Sequence, residues 1–127
     1  MKGNILNIIS TVHKIAKDIQ QELIYEYKLS RCDTTVGVDL LQNLIYLQCN
    51  IVIDKLDYNS ILFENDILLI KIEGDIISLN STLYSDYGID NVESFSVKIS
   101  DFDIYKLNNV KIKLIAKIKE RIKFYIS

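Results

Sequence analysis

Proline and tryptophan are absent from this 127-residue sequence, and histidine occurs once, at His13. Without proline the chain has no stiff linker and no proline-rich recognition segment. Apolar residues make up 49% of the chain and charged residues 25%, a balance that is typical of globular domains and excludes a disordered chain. This length is enough for one domain with its own hydrophobic core, so we expect residues 1–127 to form a single domain.

Long apolar runs are also missing, since no stretch approaches the roughly 20 apolar residues that cross a bilayer. The first residues do not predict a secretory signal, because Lys14, Lys17 and Asp18 fall where its apolar core would run. We therefore expect a soluble protein of the cytoplasm.

Cysteine is scarce, with one residue at Cys32 and one at Cys49 and no CxxC pair. Together with His13 these residues match no zinc-ligand spacing, so we predict no metal ion and no cofactor. We expect reduced thiols, with Cys49 in the core and Cys32 in a polar loop. The alternative for Cys32 is a nucleophile activated by the neighbouring Arg31, but no family signature surrounds it.

Motifs of the common catalytic sites are absent: there is no P-loop, GxGxxG, GxSxG, HExxH or calcium-binding DxDxDG loop. His13 is expected on a helix surface without a nucleophile or an orienting carboxylate. Paired carboxylates can share a proton or bind a cation, but most of these pairs fall at predicted turns, where Asp serves the backbone. We therefore predict no enzyme. The pairs are Asp54 with Asp57, Glu64 with Asp66, Glu73 with Asp75, and Asp101 with Asp103.

An amphipathic helix is predicted over roughly Asn4–Leu29, because apolar residues recur there at spacings of three and four. We expect this apolar stripe to pack on the protein's own sheet. The stripe also approximates a heptad seam, so the alternative is a helix–helix contact between subunits. Its members are Ile5, Ile8, Val12, Ile15, Ile19 and Leu23.

The middle of the chain predicts antiparallel strands. Residues 30–37, SRCDTTVG, predict a loop because they combine a polar cluster with a glycine, and residues 38–42 are ambiguous. From Asn43 onward the period becomes two, so LIYLQCNIVI predicts a strand with one apolar face. The further predicted elements are strands at Ile67–Glu73 and Ile76–Leu83, a tight turn at Glu73-Gly74-Asp75, and turns or loops at residues 54–60 and 85–91.

The last third of the chain alternates between apolar and basic residues. From Val110 to Ile126, eight of nine even positions are apolar and six of eight odd positions are basic. The segment 94–107 also alternates, and Asn108-Asn109 between the two runs suits a two-residue turn. We therefore predict a long C-terminal β-hairpin. In its register Leu107 faces Val110 and Phe102 faces Ile115.

A C-terminal helix is the alternative for the same residues. It has an apolar stripe, leaves Ile112 and Phe124 outside, and places Lys111 inside. The stripe consists of Leu107, Leu114, Ile118, Ile122 and Tyr125.

Basic residues are concentrated at this end of the chain. Residues 111–127 carry six of them against Glu120, while the rest of the chain carries nine basic and sixteen acidic residues. On a strand the six would form one row with a pitch of about 6.6 Å, which could follow a nucleic-acid backbone or face an acidic protein. Few aromatic residues lie near enough to stack on bases, so a solvated row that matches the acidic body is favoured. The candidate partner-binding residues are Lys111, Lys113, Lys117, Lys119, Arg121 and Lys123.

These patterns together predict an α+β fold. An N-terminal amphipathic helix packs on an antiparallel, barrel-like or strongly twisted sheet of five to six strands, and the chain ends in the C-terminal hairpin. The predicted function is a non-catalytic protein–protein interaction module, such as an assembly component or inhibitor from a virus, phage or mobile genetic element. The alternative is a nucleic-acid-binding protein that uses the basic row. A homo-oligomer would form through the N-terminal helix or a sheet edge.

Overall fold

The computed structural model describes residues 5–27, 29–53, 60–62, 65–85 and 88–126. It confirms the α+β fold class, with an N-terminal helix on an antiparallel sheet. The elements are α1 (Ile5–Glu26), β1 (Leu29–Asp39), β2 (Leu44–Ile53), β3 (Ser60–Leu62), β4 (Leu68–Glu73), β5 (Ile76–Ser85), β6 (Gly88–Lys98), a short 3-10 turn (Ile99–Asp101) and α2 (Tyr105–Ile126).

The sheet is an open antiparallel meander in the order β1-β2-β4-β5-β6, and the short strand β3 pairs with β2 beside the β4 segment. Six strands lie within the described residues, in agreement with the prediction. Of the two predicted forms, barrel-like or strongly twisted, the barrel-like one does not form, because β1 and β6 remain at opposite edges. The physical reason is the second helix. α1 and α2 pack side by side over one face, and they supply the core that a closed sheet would otherwise fill with its own side chains.

Helix α1 confirms the predicted helix and the predicted packing of its stripe. Ile8, Ile19 and Leu23 have no exposed surface, because this face is pressed onto the sheet of the same chain. The helix ends at Glu26, and Leu29 already begins β1. These stripe residues are therefore not free to form a seam with another subunit.

Strand β1 contradicts the loop predicted for residues 30–37. From Arg31 to Asp39 each residue pairs in regular register with β2. Its period of two is weak in the sequence, because Thr34 is polar at an inward position and Gly37 is a residue typical of loops. Gly37 does not break the strand, since the ring of Tyr46 on the neighbouring strand covers it.

The central strands and the tight turn between β4 and β5 confirm the predictions, and Gly74 adopts the positive φ of +59° that this turn requires. The loop predicted for residues 85–91 is wrong from Gly88 onward, because β6 begins there and pairs along β5. Residues 54–59 of the other predicted loop lie outside the described residues, and Ser60 belongs to β3.

The C-terminal hairpin is wrong, and the alternative helix is correct. The pairs predicted between Leu107 and Val110 and between Phe102 and Ile115 do not form, because these residues lie in or just before one helix. The helical stripe buries its members almost completely, including Ile115, which a strand would have placed among the basic residues. Asp103 accepts a hydrogen bond of 2.9 Å from the Tyr105 N–H and so caps the helix. The buried stripe is Leu107, Val110, Leu114, Ile115, Ile118 and Ile122.

Helices α1 and α2 run in the same direction, since Asp18 contacts Lys111 and Glu22 contacts Lys119. One end of the sheet, which we call the turn end, is formed by residues 40–43 and 74–75 and the start of α2. Backbone hydrogen bonds join these parts: the Ile72 N–H donates to the Asn43 carbonyl, and the Ile99 N–H donates to the Asp75 carbonyl.

Candidate interaction surfaces

The six predicted basic residues do not form a single row, because a helix distributes them around its circumference. Two of them face α1, two face β6, one pairs within α2 and one projects to solvent. Whether any of them binds a partner stays a prediction, but their surroundings limit how much free positive charge they offer.

The flank of α2 that faces α1 is tied to it by carboxylates. The ammonium of Lys111 lies 3.1 Å from Asp18, and both side chains are less than one-third exposed. Lys119 lies 2.9 Å from Glu22 and 2.5 Å from Glu26. These two carboxylates, Glu26 foremost, raise the pKa of Lys119 above its ordinary value, so it stays charged in the folded protein.

The opposite flank of α2 makes equivalent contacts with β6. Lys113 donates to Glu93 at 2.7 Å, and this hydrogen bond holds the pKa of Glu93 below its ordinary value. Arg121 donates to Asp90 at 2.8 Å and keeps only 12% of its side chain exposed. These pairs lock the helix onto the edge strand, so their charges are matched within the fold.

The two remaining basic residues differ. Lys117 pairs with Glu120 at 3.3 Å on the outer side of α2. Lys123 is exposed and has no ion pair within the described part of the chain. The basic C-terminus of the sequence is therefore largely neutralised in three dimensions.

Both cysteines are free and buried, with Cys32 on β1 and Cys49 diagonally across from it on β2. The prediction for Cys49 is confirmed, whereas Cys32 does not lie in a loop. The interaction between the two thiols, together with burial, raises the pKa of Cys49, and the same interaction lowers the pKa of Cys32. Burial keeps both sulfurs from solvent, and the described residues contain no group of three metal-ligating side chains.

Three carboxylates of the predicted pairs serve local structure. Glu73 contacts Lys71 at 2.6 Å, Asp66 accepts from the Gln48 amide, and Asp103 caps α2. Asp54, Asp57 and Glu64 lie outside the described residues. His13 is exposed on α1, as predicted.

A groove of about 310 Å³ opens between the N-terminal halves of the two helices. Thr11 and Ile15 line it from α1, and Tyr105 and Asn108 line it from α2, with the Lys111–Asp18 pair between them. It brings together no nucleophile with a base.

The turn end carries exposed apolar side chains that sequence reasoning missed. Leu40 is 76% exposed and Leu41 is 97% exposed, and we call this pair the apolar tip. Asp39 holds the tip in place by accepting hydrogen bonds from the N–H groups of Leu41 and Gln42. Adjacent leucines in the ambiguous segment 38–42, next to a turn-forming Asp, were the available signal.

Two more exposed apolar residues share this end of the molecule. Leu6 in the first turns of α1 is 72% exposed, and Tyr105 at the start of α2 is 78% exposed. Both lie at the turn end because the two helices run parallel and begin there. The turn end thus carries four strongly exposed apolar side chains.

No known relative explains these surfaces. A scan against family models matched none, and searches of curated proteins and of solved structures found no similar chain. Among the described residues, no helix is both long and apolar enough to cross a membrane.

Proposed function

We propose that this chain is a non-catalytic protein–protein interaction module that docks through its turn end. The supporting observation is the apolar tip, where a hydrogen-bonded turn presents Leu40 and Leu41 to solvent. Large exposed apolar side chains that cluster are typical of binding surfaces rather than of ordinary solvated turns. Because the turn is already fixed, docking would cost little conformational entropy. Roles that fit such a module are assembly component and inhibitor.

The chemistry around the tip suggests the kind of partner. Asp39 caps the turn that carries the tip, and Asp75 lies in the turn between β4 and β5 at the same end of the molecule, so they would favour an apolar pocket with a basic rim. A partner of this kind would cover the leucines and neutralise the bordering carboxylates.

Nucleic-acid binding through the basic residues has less support. Affinity for phosphates depends on lysines and arginines that are free to displace counterions. Lys111, Lys119 and Arg121 are instead bound to carboxylates and mostly buried. A phosphate would have to compete with these intramolecular pairs.

Self-association belongs to the same proposal. The stripe of α1 is buried in the chain's own core, so a contact between copies would use a sheet edge instead. We also propose a cytoplasmic location, because the two free thiols suit a reducing compartment.

Photo-cross-linking tests the docking surface even when the partner has not been identified. A benzophenone amino acid replaces Leu41 in one variant and Ile112, a 56% exposed residue on α2, in the control. In the cells that make the protein, we expect position 41 to yield an adduct with a different protein, and position 112 to yield none. Adding Leu40→Ser to the first variant should abolish the adduct. Absence of an adduct from position 41, or equal adducts from both positions, would contradict the proposal.

A further inference from the structure

The two edges of the sheet are protected to different degrees. β6 contains a bulge, because the register shifts between Ser81 and Thr82 of β5, and it carries Asp90, Glu93 and Lys98 along its length. Bulges and charges are the usual devices that stop an edge strand from pairing with another chain.

β1 has such devices only outside its middle: its register shift lies between Leu29 and Arg31, and its charges are Arg31, Asp33 and Asp39. Its register with β2 is regular from Arg31 to Asp39, and Thr34–Val38 is uncharged and rich in β-branched residues. Such a segment is suited to strand addition. In the described structure no strand pairs with the free side of β1.

The free edge has a definable set of backbone groups. The Gln20 side chain of α1 donates to the Cys32 carbonyl at 2.9 Å, which indicates that this carbonyl points away from β2. Backbone groups alternate sides along an antiparallel strand, so Thr34, Val36 and Val38 also direct their N–H and C=O groups to the free edge.

We propose that β1 pairs antiparallel with β1 of a second copy of this chain, with Thr35 on the two-fold axis. The charges of the strand carry this choice of register. With Thr35 facing Thr35, Arg31, which also ion-pairs with Asp33 of its own strand, faces Asp39 of the second copy at both ends of the seam, and Asp33 faces the uncharged Gly37. Opposite charges across a strand pair stabilise it.

The neighbouring register is disfavoured by the same charges. With Val36 on the axis, Asp33 would face Asp39 of the second copy twice, and like charges that face each other are destabilising. The Thr35 register would add about six backbone hydrogen bonds, not counting any to the Cys32 carbonyl that already accepts from Gln20, and would give a continuous sheet through both copies. This inference rests on the proposed function, because it names one partner of the interaction module.

Disulfide trapping tests the register. Facing residues of an antiparallel pair have Cα atoms about 4.5 to 5.5 Å apart, a distance that a disulfide spans. We expect full-length Thr35→Cys to form a covalent dimer on mild oxidation with oxidised glutathione, seen on a non-reducing gel. Ser94→Cys on exposed β6 is the matched control and should stay monomeric, as should the parent chain with its buried cysteines.

Sedimentation velocity over a concentration series measures the association itself. The parent chain and Ser94→Lys should shift towards dimer mass as concentration rises. Thr35→Lys brings two ammonium groups together and should raise the dissociation constant by about tenfold or more. Circular dichroism checks that it folds, and the cysteine variant tests the same contact if it does not.

Two outcomes would overturn the inference: a monomeric parent chain at every concentration, or equal trapping through Thr35→Cys and Ser94→Cys. Neither would affect the adduct expected from position 41, so failure of the dimer can be separated from failure of the interaction module.

Discussion

At the scale of single residues, Gly37 shows how a neighbour decides what a residue type means. Glycine weakens an isolated strand, yet here its missing side chain makes room for the ring of Tyr46 on β2. A Cβ atom at position 37 would overlap that ring. Because Gly37 has no side chain, the ring of Tyr46 can pack directly against the backbone of β1.

We therefore predict that Gly37→Ala destabilises the protein by about 1 to 3 kcal/mol, because the Tyr46 ring must move away. In a Tyr46→Ala background the same change should be nearly neutral or slightly stabilising, since Ala loses less backbone entropy than Gly. Urea denaturation of the four proteins gives the comparison. An equal effect of Gly37→Ala in both backgrounds would show that the ring is not the cause.

The loop predicted for residues 30–37 failed for this residue-scale reason. In the sequence alone, Gly37 and the polar Asp33 are residue types typical of loops. In the sheet, Asp33 lies on the outer face and Gly37 lies under Tyr46. The segment is thus a strand because it pairs with β2, and its own residue types do not reveal this.

At the scale of elements, α2 illustrates how one pattern can satisfy two periods. Its alternating lysines and isoleucines fit a strand in most positions, but the helix buries Leu114, Ile118 and Ile122 without any exposed surface. The helix leaves Ile112 and Phe124 outside, at 56% and 59% exposure. A few exposed apolar residues cost little, and in return the helix buries Ile115, which a strand would have placed on the basic face.

Paired substitutions on α2 test this assignment. Ile118→Ala should lower the free energy of unfolding by about 2 to 5 kcal/mol, because it leaves a cavity among fully buried neighbours. Ile112→Ala removes the same atoms from an exposed position and should change the free energy of unfolding by less than about 0.5 kcal/mol. Similar losses at both positions in thermal or urea unfolding would contradict the buried stripe.

The contact between α2 and β6 has a pH dependence of defined sign. Lys113 lowers the pKa of Glu93 in the folded protein, so the pair contributes stability above the unfolded pKa of about 4.3. This contribution is lost as pH falls through the lower, folded value. The parent chain should therefore be more stable than Glu93→Gln at pH 7.

The difference between these two proteins should vanish in acid, as measured by urea unfolding at several pH values. Glu120→Gln, which affects an exposed pair within α2, serves as the control. A difference between parent and Glu93→Gln that persists unchanged into strong acid would mean that the Lys113 contact is not its source.

At the scale of the whole molecule, the amphipathic helix α1, the central strands and the α+β class could be predicted, because each follows from a local period. The choice between hairpin and helix could not, because it depends on partners far away in the sequence. Lys111 is acceptable on the inner side of α2 since Asp18, 93 positions earlier, lies beside it. The apolar tip and the open edge likewise can be identified only when the order of the strands in the sheet is known.

The three-dimensional arrangement also changes which surface we expect to bind a partner. The basic residues that dominate the C-terminal sequence mainly attach α2 to α1 and β6. With both helices on one face, the sheet keeps an open edge at β1. The central claim is that β1, rather than the charged helix, is the side on which the molecule associates with its own copy.

Hydrogen–deuterium exchange of the full chain at low and high protein concentration tests this claim most directly. We predict that amide exchange in peptides covering residues 32–39 slows as concentration rises, because Thr34, Val36 and Val38 then donate to a second copy. Peptides from β6 and α2 should exchange at the same rate at both concentrations. Unchanged exchange in β1, or slowing confined to β6 or α2, would contradict the account.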